Sequence, residues 1–176
     1  MATIELAHLS DHFLEDDLES TIRAVETACG TTFVGSEEED SEVLENSIDD
    51  DVFTDFRDRL EANDIDADVY VPVEFDDIVQ VGDTRIASTQ SLRMVLDSLR
   101  DDFLIEDAQE GDIEEDDGDD DFERDDLKDN DEASSYYADE DGGIEMKDEQ
   151  LRHVWRAVFR ASRESIDRNL PLFFHN

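Results

Sequence analysis

Residues 151–176 read LRHVWRAVFRASRESIDRNLPLFFHN, and they combine the clearest helical signal in the chain with a short apolar ending. A stripe of apolar side chains at helical spacing predicts an amphipathic helix that packs on a core with one face. The apolar residues 170–174 predict a final strand that pairs back into a sheet. The stripe comprises Leu151, Val154, Trp155, Val158, Phe159 and Ile166.

Immediately upstream, residues 106–148 contain 22 of the 54 acidic residues and show no sustained hydrophobic period. A segment with so few apolar side chains cannot bury enough surface to offset the entropy lost on ordering. We therefore predict an acidic, low-complexity insertion without an ordered structure of its own.

A hairpin followed by a helix is predicted before this insertion. Gly82 and Asp83 suit a two-residue type II′ turn, because glycine at its first position adopts the positive φ required. That turn places Val79 opposite Ile86. Ser88 then caps a helix. The apolar face of this helix comprises Leu92, Val95, Leu96, Leu99 and Phe103.

The first part of the chain shows the same alternation of elements. We predict a strand over 2–9 and then a helix that Ser10 caps and Gly30 ends. A loop over 35–46 follows. After it we predict a helix that begins within 47–51 and a strand over 67–75. Pro72 has no backbone N–H to donate, so it predicts an edge strand or a bulge in the last of these.

These elements predict a single α+β domain with a small, mostly antiparallel sheet packed by about four helices. Residues 1–105 would form its N-terminal part and 106–148 the acidic insertion. Residues 149–176 would supply a C-terminal helix and strand that pack back on the domain.

The charge of the chain is extreme. Asp and Glu number 54 against 14 Lys and Arg, so the net charge is -40. Disorder alone does not explain it, because 38% of residues are hydrophobic. The basic residues are twelve arginines and two lysines, and arginine pairs bidentately with carboxylates and is weakly hydrated. We interpret this composition as adaptation to high salt, which screens the repulsion between acidic side chains. The alternative is an acidic regulator from a mesophilic organism.

A reducing, cytoplasmic setting is the expectation. Cys29 is the sole cysteine, so no internal disulfide forms. No apolar run approaches the roughly 20 residues that a membrane span needs, and the N-terminal residues do not resemble a signal peptide. We expect no membrane association.

Motifs for catalysis and cofactors are absent from the sequence. It contains no G-x-G-x-x-G, no phosphate-binding loop and no G-x-S-x-G elbow, so no cofactor is predicted. Carboxylate pairs carry no information where acids are this frequent. The histidines are His8, His12, His153 and His175; we expect them to be structural or exposed, although the first two have the spacing of a helical metal pair.

Residues 137–148 look like a degenerate EF-hand loop. The oxygen ligands would be Asp139, Asp141, Glu145 and Asp148. The first position holds a tyrosine instead of an acid, and the last holds an aspartate instead of a bidentate glutamate. We therefore expect at most weak, nonspecific binding of divalent or monovalent cations.

The last helix also carries a basic stripe. Arg152, Arg156 and Arg160 follow at intervals of four residues, with Arg163 nearby. One interpretation is a docking surface for an acidic partner or a phosphate group. The alternative is pairing with the protein's own acids, since like charges four residues apart on a helix repel each other unless they are neutralised.

The leading functional hypothesis is a small, non-enzymatic protein that binds another protein, as a regulator or an inhibitor does. Its ending, residues 169–174 after a tryptophan-bearing helix, is similar to that of small bacterial immunity-type proteins. A carboxylate-based enzyme or enzyme subunit, dependent on a divalent cation, is the second hypothesis. An acidic mimic of DNA is the third. Binding to nucleic acid itself is disfavoured, because phosphates are attracted to basic surfaces.

Overall fold

The computed structural model describes residues 1–36, 38–103 and 142–175. Its strands are β1 (Ala2–Leu6), β2 (Glu42–Ile48), β3 (Val69–Val71), β4 (Val79–Val81), β5 (Thr84–Ser88) and β6 (Leu172–His175). Its helices are α1 (Leu9–His12), α2 (Glu15–Cys29), α3 (Asp50–Glu61), α4 (Thr89–Ser98) and α5 (Gly142–Arg168). None of the helices within these ranges combines the length and apolar composition that membrane crossing requires.

The six strands form one mixed sheet in the order β2-β1-β6-β3-β5-β4. All neighbouring strands are antiparallel except β3 and β5, which are parallel. The strand predicted at the end of the chain, β6, therefore lies inside the sheet, between β1 and β3. The prediction of a single α+β domain with a mostly antiparallel sheet is confirmed. Most of the predicted insertion, residues 104–141, lies outside the described residues.

Helices cover both faces of the sheet, and each face has its own apolar core. Successive side chains of a strand point to opposite faces. Leu172 and Phe174 accordingly pack with the residues of α3, α4 and α5. Phe173 between them packs with Val25 of α2 in the second core. β3 alternates in the same way, with Tyr70 in the first core.

Local signals set several element boundaries where they were predicted. Asp49 caps α3 by accepting hydrogen bonds from two backbone amides, and Ser88 caps α4. Gly30 ends α2 with φ at 70°, in the left-handed region that glycine adopts without strain. The hairpin of β4 and β5 has the predicted register, with Val79 opposite Ile86.

Three local predictions are wrong. Ser10 does not cap the first helix; His8 does, and a break at residues 13–14 separates α1 from α2. The predicted loop 35–46 runs into β2, an edge strand with mostly exposed side chains and therefore no hydrophobic alternation. β3 is an internal strand rather than an edge, and Pro72 is compatible with it because the strand ends at the preceding residue.

An ionic network centred on the buried Asp66 links α3, the segment immediately before β3, and strand β5. The carboxylate of Asp66 accepts hydrogen bonds from Arg57 Nε at 2.7 Å and from Arg85 Nη2 at 2.6 Å. Arg57 also donates to Asp68 at 2.9 Å. Burial opposes the charge on Arg57, but hydrogen bonds to the two carboxylates outweigh it and raise the pKa of the guanidinium. The side chain of Asp66 is only 8% exposed, so this network is a structural element.

Replacement of Asp66 tests that role. We expect Asp66→Asn to lower the free energy of unfolding by about 3 kcal/mol, because it leaves the largely buried Arg57 and the partly exposed Arg85 without their shared anion. Asp58→Asn is the matched control, since it removes one charge from an exposed position of α3. Urea unfolding at a constant KCl concentration, followed by circular dichroism, measures both. Equal losses in the two variants would contradict the structural role.

Candidate functional site

Arginines gather on one side of the molecule, where α4 and α5 lie next to each other. We call this surface the arginine face. At its centre Phe159 of α5 is half-buried and stacks on Trp155, with 4.9 Å between ring centroids and 8° between ring planes. The arginine face comprises Arg93, Arg100, Arg152, Arg156, Arg160 and Arg163.

Two arginines from the α4 side lie over the aromatic pair. The guanidinium carbon of Arg93 is 5.3 Å from the centre of the Phe159 ring. That of Arg100 is 5.8 Å from the same ring and 5.8 Å from Trp155. Both distances fall within the range of cation–π contact. Because Trp155 Nε1 donates to the carbonyl of Leu96 at 3.0 Å, the rings beneath these arginines are held in place.

The predicted arginine stripe belongs to this face, and its four members have different surroundings. Arg152 is half-buried and donates from Nε to the carbonyl of Phe103 at 2.9 Å. Arg163 lies 3.8 Å from Asp167. Arg156 and Arg160 are exposed, and neither forms an ion pair with a carboxylate of the described ranges. Among the described acids, Asp167 is thus the one paired with a member of the stripe, while the acids of residues 104–141 lie outside the described residues, so both interpretations of the stripe stay predictions.

Arg168, at the end of α5, pairs with the protein's own acids, which is the alternative that the sequence analysis gives for the arginine stripe. Its Nε donates to Glu39 at 2.9 Å and its Nη1 to Glu42 at 2.7 Å. Its Nη2 donates to the carbonyl of Asp40 at 3.0 Å. The hydrogen bonds to Glu42 and Glu39 raise the pKa of Arg168. This residue ties the end of α5 to the segment before β2.

The arrangement is suited to binding. Guanidinium groups in cation–π contact with aromatic rings still have N–H donors that can reach carboxylates. Met94 on α4 is 74% exposed and follows Arg93 in the chain. Aromatic residues, arginine and methionine are the types enriched at protein interfaces.

A separate cleft of about 350 Å³ lies between the start of α3 and α5. Two of the side chains that line it are acidic, Asp49 and Glu149. Asp49 Oδ1 already accepts two backbone hydrogen bonds as the cap of α3. At the rim, His153 Nε2 lies 3.4 Å from Glu45. Burial opposes ionisation of Glu45, but hydrogen bonding by Ser47 helps to outweigh it and lowers the pKa of Glu45.

The EF-hand-like segment lies mostly outside the described residues. This applies to Asp139 and Asp141. Glu145 belongs to α5, which begins at Gly142. Asp148 is an exposed residue of the same helix. The cation site predicted there stays a prediction.

The histidines and the cysteine are placed as follows. His8 Nε2 is 2.6 Å from the carbonyl of Glu39, and it does not lie with His12. Cys29 is half-buried, and its thiol is 3.3 Å from the carbonyl of Thr31. His12 instead lies next to Glu5, which also contacts His175. Glu5 and His175 are 170 positions apart in the sequence. No sequence spacing signals that cluster, because it depends on strand register.

Comparison with known proteins gives no relative for this chain. It matches no protein-family model, and it has no significant match among curated proteins or solved structures. Functional inference therefore depends on its own residues.

Removal of the central ring tests the organisation of the arginine face. We expect Phe159→Ala to shift the fluorescence emission of Trp155 to longer wavelength, because the ring that stacks on the indole is lost. Stability falls by about 2 kcal/mol for the same reason. Met94→Ala, which removes an exposed side chain on α4, is the control and should change neither quantity. Unchanged emission in the first variant would contradict the stacked arrangement.

Proposed function

We propose that this protein is a non-enzymatic module that binds an acidic surface of another protein through the arginine face. The observation that supports it most directly is the pair of exposed arginines, Arg156 and Arg160, next to a fixed aromatic centre. In a chain of net charge -40, a basic surface of this kind is exceptional. Such a module would act as a regulator or an inhibitor of the partner that it binds.

The chemistry of the partner follows from the charges on the face. Within the described residues, Asp97 pairs with Arg100 at 3.3 Å and Asp167 lies 3.8 Å from Arg163. Arg156 and Arg160 are exposed and form no ion pair with a described carboxylate, so their guanidinium groups supply the positive charge on which the proposal depends. A partner that presents several carboxylates matches the guanidinium donors.

The overall negative charge sets a condition on this binding. At low ionic strength a protein of net charge -40 repels any acidic partner at long range. At molar salt the Debye length is about 3 Å, so only contacts at the interface itself matter. Adaptation to high salt is accordingly part of the proposal, and so is a cytoplasmic location, where the free thiol of Cys29 remains reduced.

The two other hypotheses predict different surfaces. A carboxylate-based enzyme requires two or three free acids that converge in a cleft. The cleft beside α3 offers Glu149 together with Asp49, which serves as a helix cap. A mimic of DNA would use acidic side chains for its contacts, so its binding would not depend on arginine.

The test compares two pairs of basic residues. A tag-free full-length chain, immobilised in multi-molar KCl, captures its partner from native lysate, and the partner is then purified and titrated. We expect Arg156→Gln with Arg160→Gln to weaken binding by about 30-fold or more, as loss of an arginine hot spot does. The matched control is Arg23→Gln with Lys147→Gln, which removes the same charge from α2 and the start of α5.

Each outcome of this titration separates the hypotheses. Binding that the first double variant loses and the control retains supports the proposal. Equal affinity of the two double variants contradicts it. If the two double variants bind equally well and the captured partner is a DNA-binding protein, the result favours the hypothesis of a DNA mimic. Absence of any captured protein from the full-length chain also contradicts the proposed function.

Salt dependence of stability is a separate prediction. We expect the urea midpoint of unfolding to rise steeply as KCl increases from low to molar concentration, because screening removes repulsion that opposes the folded state. Circular dichroism measures the midpoint, and a parallel series in sucrose separates screening from general exclusion of solute. A midpoint that does not change with KCl would instead identify an acidic protein adapted to ordinary ionic strength.

A further inference from the structure

Three side chains that have no place in the proposed function converge on the opposite side of the sheet. Glu5 comes from β1, His12 from α1 and His175 from β6. Glu5 Oε2 lies 3.3 Å from His12 Nε2 and 3.1 Å from His175 Nε2. The ligand atoms of all three residues lie within 4.8 Å of one another.

Strand register explains how β1 and β6 bring two of these residues together. In the antiparallel pair, Glu5 is opposite Phe173 and Thr3 is opposite His175. Residues that alternate along a strand share a face. Glu5 and His175 are therefore diagonal neighbours on one face, within reach of each other for side chains of their length.

The third member, His12, is positioned by the turn that follows β1. His8 begins α1, and its backbone N–H donates to Asp11 at 3.3 Å, which closes the first turn. This short helix returns the chain over the face of the sheet. The His12 ring then lies 4.2 Å from the ring of Phe173, centroid to centroid. The same phenylalanine ring is nearly parallel to the ring of His175, at 3°.

The distances agree with those of metal ligands. Nitrogen and oxygen ligands lie about 2.0–2.2 Å from Zn²⁺. Two such ligands at the angle of an octahedral or a tetrahedral site are then about 3.0–3.4 Å apart. Both distances from Glu5 Oε2 fall in this range. Glu5 Oε2 thus lies at contact distance from both imidazole nitrogens; the contact with His175 is also a hydrogen bond, and a bound cation would replace the proton between these atoms.

We propose that Glu5, His12 and His175 form a binding site for a divalent transition-metal ion of the Zn²⁺ class. Two imidazole nitrogens and one carboxylate favour zinc, copper, nickel or iron over magnesium and calcium, which prefer oxygen ligands. Their side chains are 20%, 28% and 41% exposed. This exposure leaves the outer side of the ion open to water, so the remaining coordination positions are filled by solvent.

The bound ion has a structural consequence. It joins β1 and β6, which are neighbours in the middle of the sheet, and it fastens α1, a helix of 4 residues, to both. A ligand that binds only the folded chain stabilises it in proportion to the logarithm of its concentration. The site is independent of the arginine face, because Phe173 belongs to the apolar core on the α2 side of the sheet.

The experiment uses tag-free full-length chain in molar KCl with excess Mg²⁺, which occupies the many surface carboxylates. Co²⁺ is titrated first, since its visible absorption reports nitrogen and oxygen coordination, and Zn²⁺ is then used to displace it. We expect saturable binding of one Co²⁺ per chain and a rise in Tm as Zn²⁺ is added. His12→Gln, His175→Gln and Glu5→Gln should each raise the dissociation constant by about tenfold or more.

The control is His153→Gln. His153 also lies near a glutamate, with Nε2 at 3.4 Å from Glu45, but only one histidine takes part there. It should leave Co²⁺ affinity and the Zn²⁺-induced rise in Tm unchanged. Circular dichroism without metal verifies that each variant folds. The proposal is overturned if Co²⁺ binding shows no saturation above the Mg²⁺ background, or if the control loses affinity as much as the three ligand variants do.

Discussion

Strand β6 is the element on which the rest of the structure depends. It pairs with β1 on one side and β3 on the other, so its removal would divide the sheet into two parts. Its alternate side chains also supply both cores, with Leu172 and Phe174 on the face of α3, α4 and α5 and Phe173 on the face of α2. Helix α5 leads directly into this strand. The turn between them is compact, with Leu170 N donating to the carbonyl of Ser165 at 3.1 Å.

The second constraint is the excess of negative charge, which only 14 basic residues oppose. The described arginines are used in distinct ways. Arg57 is largely buried and pairs with the buried Asp66 and the partly exposed Asp68, which fixes α3 to the segment before β3. Arg168 joins α5 to the segment before β2 through two glutamates. On the arginine face, by contrast, guanidinium groups rest on aromatic rings and the charge of Arg156 and Arg160 stays at the surface. Because basic residues are so few, this uneven distribution is the main support for the proposal that the arginine face binds a partner protein.

The proposed docking surface and the proposed metal site lie on opposite sides of the sheet. The first is formed by residues of α4 and α5, which are near each other along a helix or across one helix pair. The second joins residues from both ends of the described chain. The two proposals can therefore be tested independently. A substitution at Glu5 is not expected to alter the contacts of Arg156. The metal ion would act on stability, whereas the arginine face would act on recognition.

Local order and composition determined much of this protein from the sequence alone. The cap at Ser88, the turn at Gly82 and the apolar stripes of α4 and α5 depend on near neighbours in the chain, and each was predictable for that reason. The start of α3 was predicted to within residues 47–51, and the structure places its cap at Asp49. The α+β class and the arginine stripe followed from the same patterns. Edge strand β2 escaped prediction because its side chains are mostly exposed and do not alternate. Strand order and register were decided only by the tertiary structure, since they depend on pairing between distant segments. The central position of β6, the aromatic support beneath the arginines, and the meeting of Glu5, His12 and His175 all arise from that long-range pairing and packing.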